Sequence, residues 1–156
     1  SDVEQILSHN REESAFTMFD AMLESLPPAK RLENSLSILQ KILLSKKDNS
    51  PVVIIAGLVS CFRRLSMWQT IHSQGHIPSD IELKSNGFSS KTAQRQYAKA
   101  AKLWSPGHVA AILALLAKTD LEIRSTGSLF QENQLTLMLY EIIVKNGAYC
   151  ACYETD

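Results

Sequence analysis

Apolar residues recur at helical spacing along almost the entire chain. The clearest case is "VAAILALLAKTDLEIR" at 109–124, where Val109, Ile112, Leu113, Leu116 and Ile123 follow the i, i+3, i+4, i+7 pattern of one helical face. Asp120 falls within that stripe. An unpartnered carboxylate is strongly disfavoured on a buried face. The pattern therefore predicts a helix and also asks for a partner for its acid.

The same reading extends along the sequence. A short helix is predicted over 2–8. A second runs over 13–24 with Phe16, Phe19, Met22 and Leu23 on one side, and "SLPPAK" breaks it. Pro28 then suits the first residue of a helix that carries Leu32, Leu36, Leu39, Ile42 and Leu43. "SKKDNSP" reads as a polar linker, with Ser50 as N-cap and Pro51 as the first residue of a long helix to about His72. Ile55, Leu58, Phe62 and Leu65 share one face of it, and Gly75 terminates it.

Residues 76–88 are less regular. "SDIEL" predicts one short helical turn and "NG" a chain reversal. Ser89 or Ser90 caps a helix to about 103. Ser105 and Pro106 restart the chain as a helix over 107–124, "STGS" interrupts it, and a last helix covers 130–145. No strand period persists. The expected fold is all-α, a compact bundle of seven or eight helices forming one domain over 1–146, with an unpatterned tail over 147–156.

Size and composition fit this picture. A chain of 156 residues buries about 68–70% of its unfolded surface, so a hydrophobic core suffices without metal or disulfide. The 16 basic and 16 acidic residues cancel, which argues against a chain-wide electrostatic drive toward nucleic acid or membrane. Three cysteines, Cys61, Cys150 and Cys152, make no disulfide framework. They point to a reducing, cytoplasmic setting. No signal peptide is visible, and the run "VVIIAGLV" at 52–59 is far shorter than the roughly 18 residues that span a bilayer. The chain starts without Met, which predicts a fragment of a longer protein.

The chemistry present is sparse. The six glycines, at 57, 75, 87, 107, 127 and 147, begin no phosphate-cradling loop and no dinucleotide fingerprint. His72 and His76 straddle a predicted helix end, and "CAC" at 150–152 lacks a second ligand pair, so no metal site is expected. Cys61 reads as a small core residue. No nucleophile elbow or zincin helix occurs. No catalytic residue and no cofactor are expected, and the chain by itself is not expected to be an enzyme.

What remains is charge placement. Residues 83–104 contain Lys84, Lys91, Arg95, Lys99 and Lys102 and no acid. Lys91, Arg95, Lys99 and Lys102 form one helical stripe, away from Tyr97, Ala98, Ala101 and Trp104. The plain reading is a solvated face; the sharper one is a contact to phosphates or to an acidic neighbour. "SDIELKSNGFSSKTAQRQYAKAA" also has the outline of a helix-turn-helix, which gives a DNA-binding alternative using the basic helix 90–103.

Taken together, several segments resemble one family. "NREESAFTMFDAMLESLPPAKRLENSLSILQKIL", "IIAGLVSCFRRLSMW", "IELKSNGFSSKTAQRQYAKAAKLWS", "HVAAILALLAKTDLEIRSTG" and "FQENQLTLMLYEIIV" are similar to the C-terminal region of the delta subunit of the bacterial DNA polymerase III clamp loader. The resemblance covers nearly the whole chain through loose motifs. It implies a helical collar domain that packs beside the equivalent domains of other loader subunits. That collar holds together the five-subunit ring that places the sliding clamp on primed DNA. Delta does not hydrolyse ATP, in keeping with the missing phosphate loop. The implied partners are the other clamp-loader subunits, with primed DNA a weak contact and no membrane. In the family the loop "RSTGS" faces the DNA chamber; here it carries no aromatic.

Two further expectations concern particular residues. Asp120 is expected to bond Arg124, four residues on in the favourable orientation, or Arg63 or Arg64 of the long helix, and so fix how the helices cross. Arg124, near the edge of the apolar stripe of its own helix, is a further possible DNA or partner contact. Leu115 and Ala111, opposite the main stripe, are expected to stay open for a partner.

Overall fold

The computed structural model describes residues 14–45 and 50–148. The helix expected over 2–8, most of the polar linker, and "CAC" lie outside the described residues. Seven α-helices and one 3-10 turn are present among the described residues, and no strand. They are α1 (14–22), α2 (Pro28–Leu44), α3 (Pro51–His72), α4 (Asp80–Ser85), α5 (Lys91–Leu103), α6 (Pro106–Ser125), the 3-10 turn Ser128–Phe130, and α7 (Gln131–Ile143). The protein is an all-α helical bundle.

Local chemistry sets the starts. The Ser50 hydroxyl accepts from the Val53 amide ahead of Pro51. Ser90, rather than Ser89, caps α5 by accepting from the Ala93 amide. Ser79 and Glu82 cap α4 reciprocally, and at α6 the Ser105 hydroxyl accepts from the His108 amide while His108 Nδ1 accepts from the Ser105 amide. Each such cap satisfies amides that the first helical turn leaves unpaired. The last helix begins within one residue of the sequence pattern, at Gln131, and is preceded by residues 128–130 in 3-10 geometry.

α3 and α6 form the centre. Gln69 Nε2 donates to the Trp104 carbonyl at 2.8 Å, which puts the end of α3 beside the start of α6. The two helices therefore run antiparallel. α7 packs against both α2 and α6 and reaches α3, while α5 packs on α3 and turns by 98° into α6. The rest of α3 extends the apolar run at 52–59, so that by length and composition α3 is long enough to cross a bilayer. Within the bundle its apolar character is met by contacts with α5, α6 and α7.

The core has two parts. Aliphatic side chains of α3, α6 and α7, among them Leu58, Ile112, Leu116, Leu139 and Ile142, are fully buried. Beside them lies an aromatic cluster. Phe62 meets Phe19 edge-on at 5.2 Å and Trp104 at 5.1 Å, and Phe88 meets Trp68 and Tyr97 at 5.2 and 5.5 Å. Arg31, buried on α2, donates to the carbonyls of Met22 and Leu26 at 3.0 and 3.1 Å. It thereby closes the end of α1, whose last carbonyls have no partner within the helix. α1 approaches α3 at Gly57, where a β-carbon would collide with that of Ala15.

Candidate functional site

The basic stripe is solvent-facing. α5 buries Gln96, Tyr97 and Ala100, and so turns Lys91, Arg95, Lys99 and Lys102 outward. Lys84 is exposed on α4. Among the described residues, the one ion pair of the stripe joins Lys91 Nζ to Asp80 Oδ1 at 4.0 Å, with both side chains about three-quarters exposed. Pairs of this kind contribute about 0–1 kcal/mol and are screened by salt. Arg124 does not join this patch. It lies 18 residues beyond Pro106, about 27 Å along α6 at 1.5 Å per residue, and α5 leaves α6 nearly at right angles.

The helix-turn-helix outline is present as α4, a turn through Gly87 and α5. Its amide side chains, however, are committed internally. Gln94 Nε2 donates to the Phe88 carbonyl at 2.7 Å, and buried Gln96 donates to Asp20 Oδ1 at 3.4 Å. Lys91, Thr92 and Arg95 are what the first turn leaves exposed.

Asp120 pairs within its own helix. Arg124 Nε donates to Asp120 Oδ2 at 3.0 Å, with the two side chains 59% and 28% exposed. Neither arginine of α3 reaches it. Arg64 points the other way: its Nη2 donates to the Gly87 carbonyl at 2.6 Å, and its guanidinium lies 5.1 Å over the Phe88 ring and 5.4 Å over Tyr97. It staples the α4–α5 turn onto α3. Arg63 is exposed and forms no ion pair among the described residues. The expectation that Asp120 ties α6 to α3 is therefore corrected. The apolar stripe is centred on Ile112, Leu116, Thr119 and Ile123, which leaves Asp120 on its flank, half in water.

That flank is one wall of a groove of about 500 Å³ between α3 and α6. Val52, Ala56 and Val59 form one side, Leu113 and Ala117 the other. Because the helices are antiparallel, Arg63 stands at the Leu113 end, and the Asp120–Arg124 pair lies seven residues further along α6. At 1.5 Å per residue this is about 10 Å away.

A second correction concerns the open faces. Leu115 is buried and Ala111 half-buried, because α7 covers that side of α6: Leu115 lines the α6–α7 cleft with Met138. Around this side the outward apolar side chains are Leu121 on α6, Leu129 and Phe130 in the 3-10 turn, and Leu137 and Tyr140 on α7, while Leu44, Met67, Ile77 and Ile81 are exposed singly on other elements and loops. Phe130 is 54% exposed. The loop "RSTGS" has no aromatic of its own, yet Phe130 stands two residues after it.

Lys118, Glu122 and Glu141 come together in the α6–α7 cleft, where burial raises the Glu141 carboxyl above its ordinary value against an opposing pull from Lys118. None of the described His, Cys, Asp and Glu side chains gather in threes to hold a metal ion. Burial pushes the Cys61 thiol up to about 12, against an opposing pull from Arg64, so Cys61 is a protonated core group near neutral pH. Burial likewise raises Tyr97 to about 12. No protein-family model, curated protein or solved structure matches the chain.

The geometry of Asp120 fixes an expected result. An i, i+4 pair on a helix surface contributes about 0.2–0.5 kcal/mol, and Asp120 is only partly withdrawn from water. Asp120→Asn and Asp120→Ala should each lower the unfolding free energy in urea by less than about 1 kcal/mol. A loss of about 3–5 kcal/mol, the cost of breaking a buried pair, would contradict the half-exposed geometry.

Proposed function

We propose that this chain is a non-catalytic assembly domain: the collar domain of a clamp-loader delta subunit, which docks against neighbouring loader subunits while the sliding clamp is loaded onto primed DNA. The observation that carries this reading is where its apolar side chains face water. Leu129, Phe130, Leu137 and Tyr140 follow one another from the 3-10 turn along the outer side of α7, and Leu121 is 69% exposed on neighbouring α6. Scattered exposed apolar residues need no explanation, whereas a run of them along one helix marks a docking surface. The family resemblance supports the reading as well. Its segment "HVAAILALLAKTDLEIRSTG" coincides with α6 and the loop after it, and "FQENQLTLMLYEIIV" with α7.

The test is reconstitution of the full chain with the other four clamp-loader subunits, followed by size exclusion. Co-elution is expected, and Phe130→Asp together with Leu137→Asp should abolish it while leaving helical circular dichroism unchanged. Failure of the wild-type chain to associate with any loader subunit would overturn the proposal.

A further inference from the structure

We infer that the α3–α6 groove is a second docking site, and that its occupant is a partner helix presenting aliphatic side chains with a single carboxylate at one end. The inference rests on the assembly reading above, since a member of a closed ring needs a face for each neighbour, and the exposed side of α7 supplies only one.

The groove itself carries the argument. Val52, Ala56 and Val59 lie along two turns of α3, with Arg63 one turn further on, and Leu113 and Ala117 along α6. Val52 to Arg63 is 11 residues, about 16 Å at the helical rise, so the trough has the length of a three-turn helix segment. An amphipathic helix recognises such a trough with side chains at i, i+4 and i+7. The small side chains Ala56 and Ala117 leave room for it.

Charge chooses the occupant. Asp120 is already bonded to Arg124, so the far end of the groove is nearly neutral. Arg63 lines the opposite end and has no acid among the described residues. An apolar segment that closed the groove would strip water from Arg63, and a desolvated guanidinium without a counter-charge is costly. A carboxylate on the incoming helix resolves this and fixes its direction. A nucleic-acid strand fits less well. Its binding tracks use several cations and stacking aromatics, whereas this trough has an aliphatic floor, one unpaired cation and no aromatic lining.

The experiment uses the full chain, fluorescently labelled, titrated with the other four loader subunits. Arg63 and Ala117 are both exposed, so Arg63→Glu and Ala117→Glu should keep the fold, as circular dichroism would verify. Each is expected to weaken association at least tenfold, and Arg63→Lys no more than threefold. If the wild-type chain does not associate at all, the assembly reading itself fails. If it associates and either glutamate variant binds as tightly as wild type, the groove inference is overturned while the assembly reading stands. Two other outcomes would also overturn it. One is a primed DNA duplex whose binding is lost in Arg63→Glu but kept in Ala117→Glu, which would assign Arg63 to phosphates. The other is tighter association after removal of residues 149–156 that the groove substitutions reproduce rather than abolish, which would make the chain's own tail the occupant.

Discussion

Replacing Phe62 with alanine is expected to lower the unfolding free energy by about 3–5 kcal/mol, the range for removing a large buried aromatic. Phe62 is fully buried at the centre of α3. Its ring packs edge-on against Phe19 of α1 and against Trp104, which ends α5. Such pairs add about 0.5–1.5 kcal/mol beyond the area they bury. The site has little room to collapse, because three helices meet there and each is held by its own cap or turn. Urea unfolding followed by circular dichroism should show a lower midpoint with an unchanged slope. Phe16→Ala, on the outward side of α1 and 36% exposed, should cost under about 1 kcal/mol by contrast. Equal losses at the two positions would mean that the aromatic cluster is not the keystone of the α1–α3–α5 contact.

The difference between those two phenylalanines also marks where sequence reasoning ran out. Periodicity placed Phe16 and Phe19 on one face of a helix, yet Phe19 is buried and Phe16 is not. A stripe in sequence is an arc about 100° wide, and only the approach of a second helix decides which part of the arc is covered. The same limit explains Leu115. Reading α6 as a helix with one covered side left Leu115 open, whereas α6 is flanked by α3 on one side and α7 on another, so its buried arc is wider.

Helix starts were legible because a Ser-Pro pair or a Ser with a polar residue three positions on is a local signal. Ser50 and Ser105, each ahead of a Pro, cap as that chemistry requires, whereas Ser90 is followed three positions on by Ala93 and was not separable from Ser89 by a local signal. The Asp120–Arg124 bond was legible for the same reason, since i, i+4 is a local distance. The destinations of Arg63 and Arg64 were not. Adjacent residues on a helix point about 100° apart, so one reaches the Gly87 carbonyl across 23 residues of sequence while the other rims the α3–α6 groove. Nothing local separates them, and the groove that makes Arg63 of interest exists only once α3 and α6 are side by side.

Gly147→Ala is the second change expected to be severe, and its cause was equally hidden. Gly147 follows α7 with φ at +71°, and its amide donates to the Glu141 carbonyl at 2.8 Å, closing the helix end. A non-glycine residue in that left-handed conformation costs about 1–2 kcal/mol. The seat is also tight. A β-carbon there would lie 2.7 Å from Ile112 Cγ1 and 2.8 Å from the Ile112 backbone nitrogen, and backbone of a central helix cannot step aside cheaply. Overpacking of this kind adds about 1–3 kcal/mol. Two other glycines separate the contributions. Gly75 has φ at +82° but open space around the β-position, and Gly127 has open space and no positive φ. Gly75→Ala should therefore show the conformational cost alone. Gly127→Ala should be neutral or stabilising by about 0.4–1 kcal/mol, through the entropy of the unfolded chain. Thermal unfolding of the three variants is expected to rank Gly147→Ala lowest, then Gly75→Ala, then Gly127→Ala at or above the parent. A Gly147→Ala loss no larger than that of Gly75→Ala would mean that the chain after α7 is not seated on Ile112, and that the packed bundle ends with α7 itself.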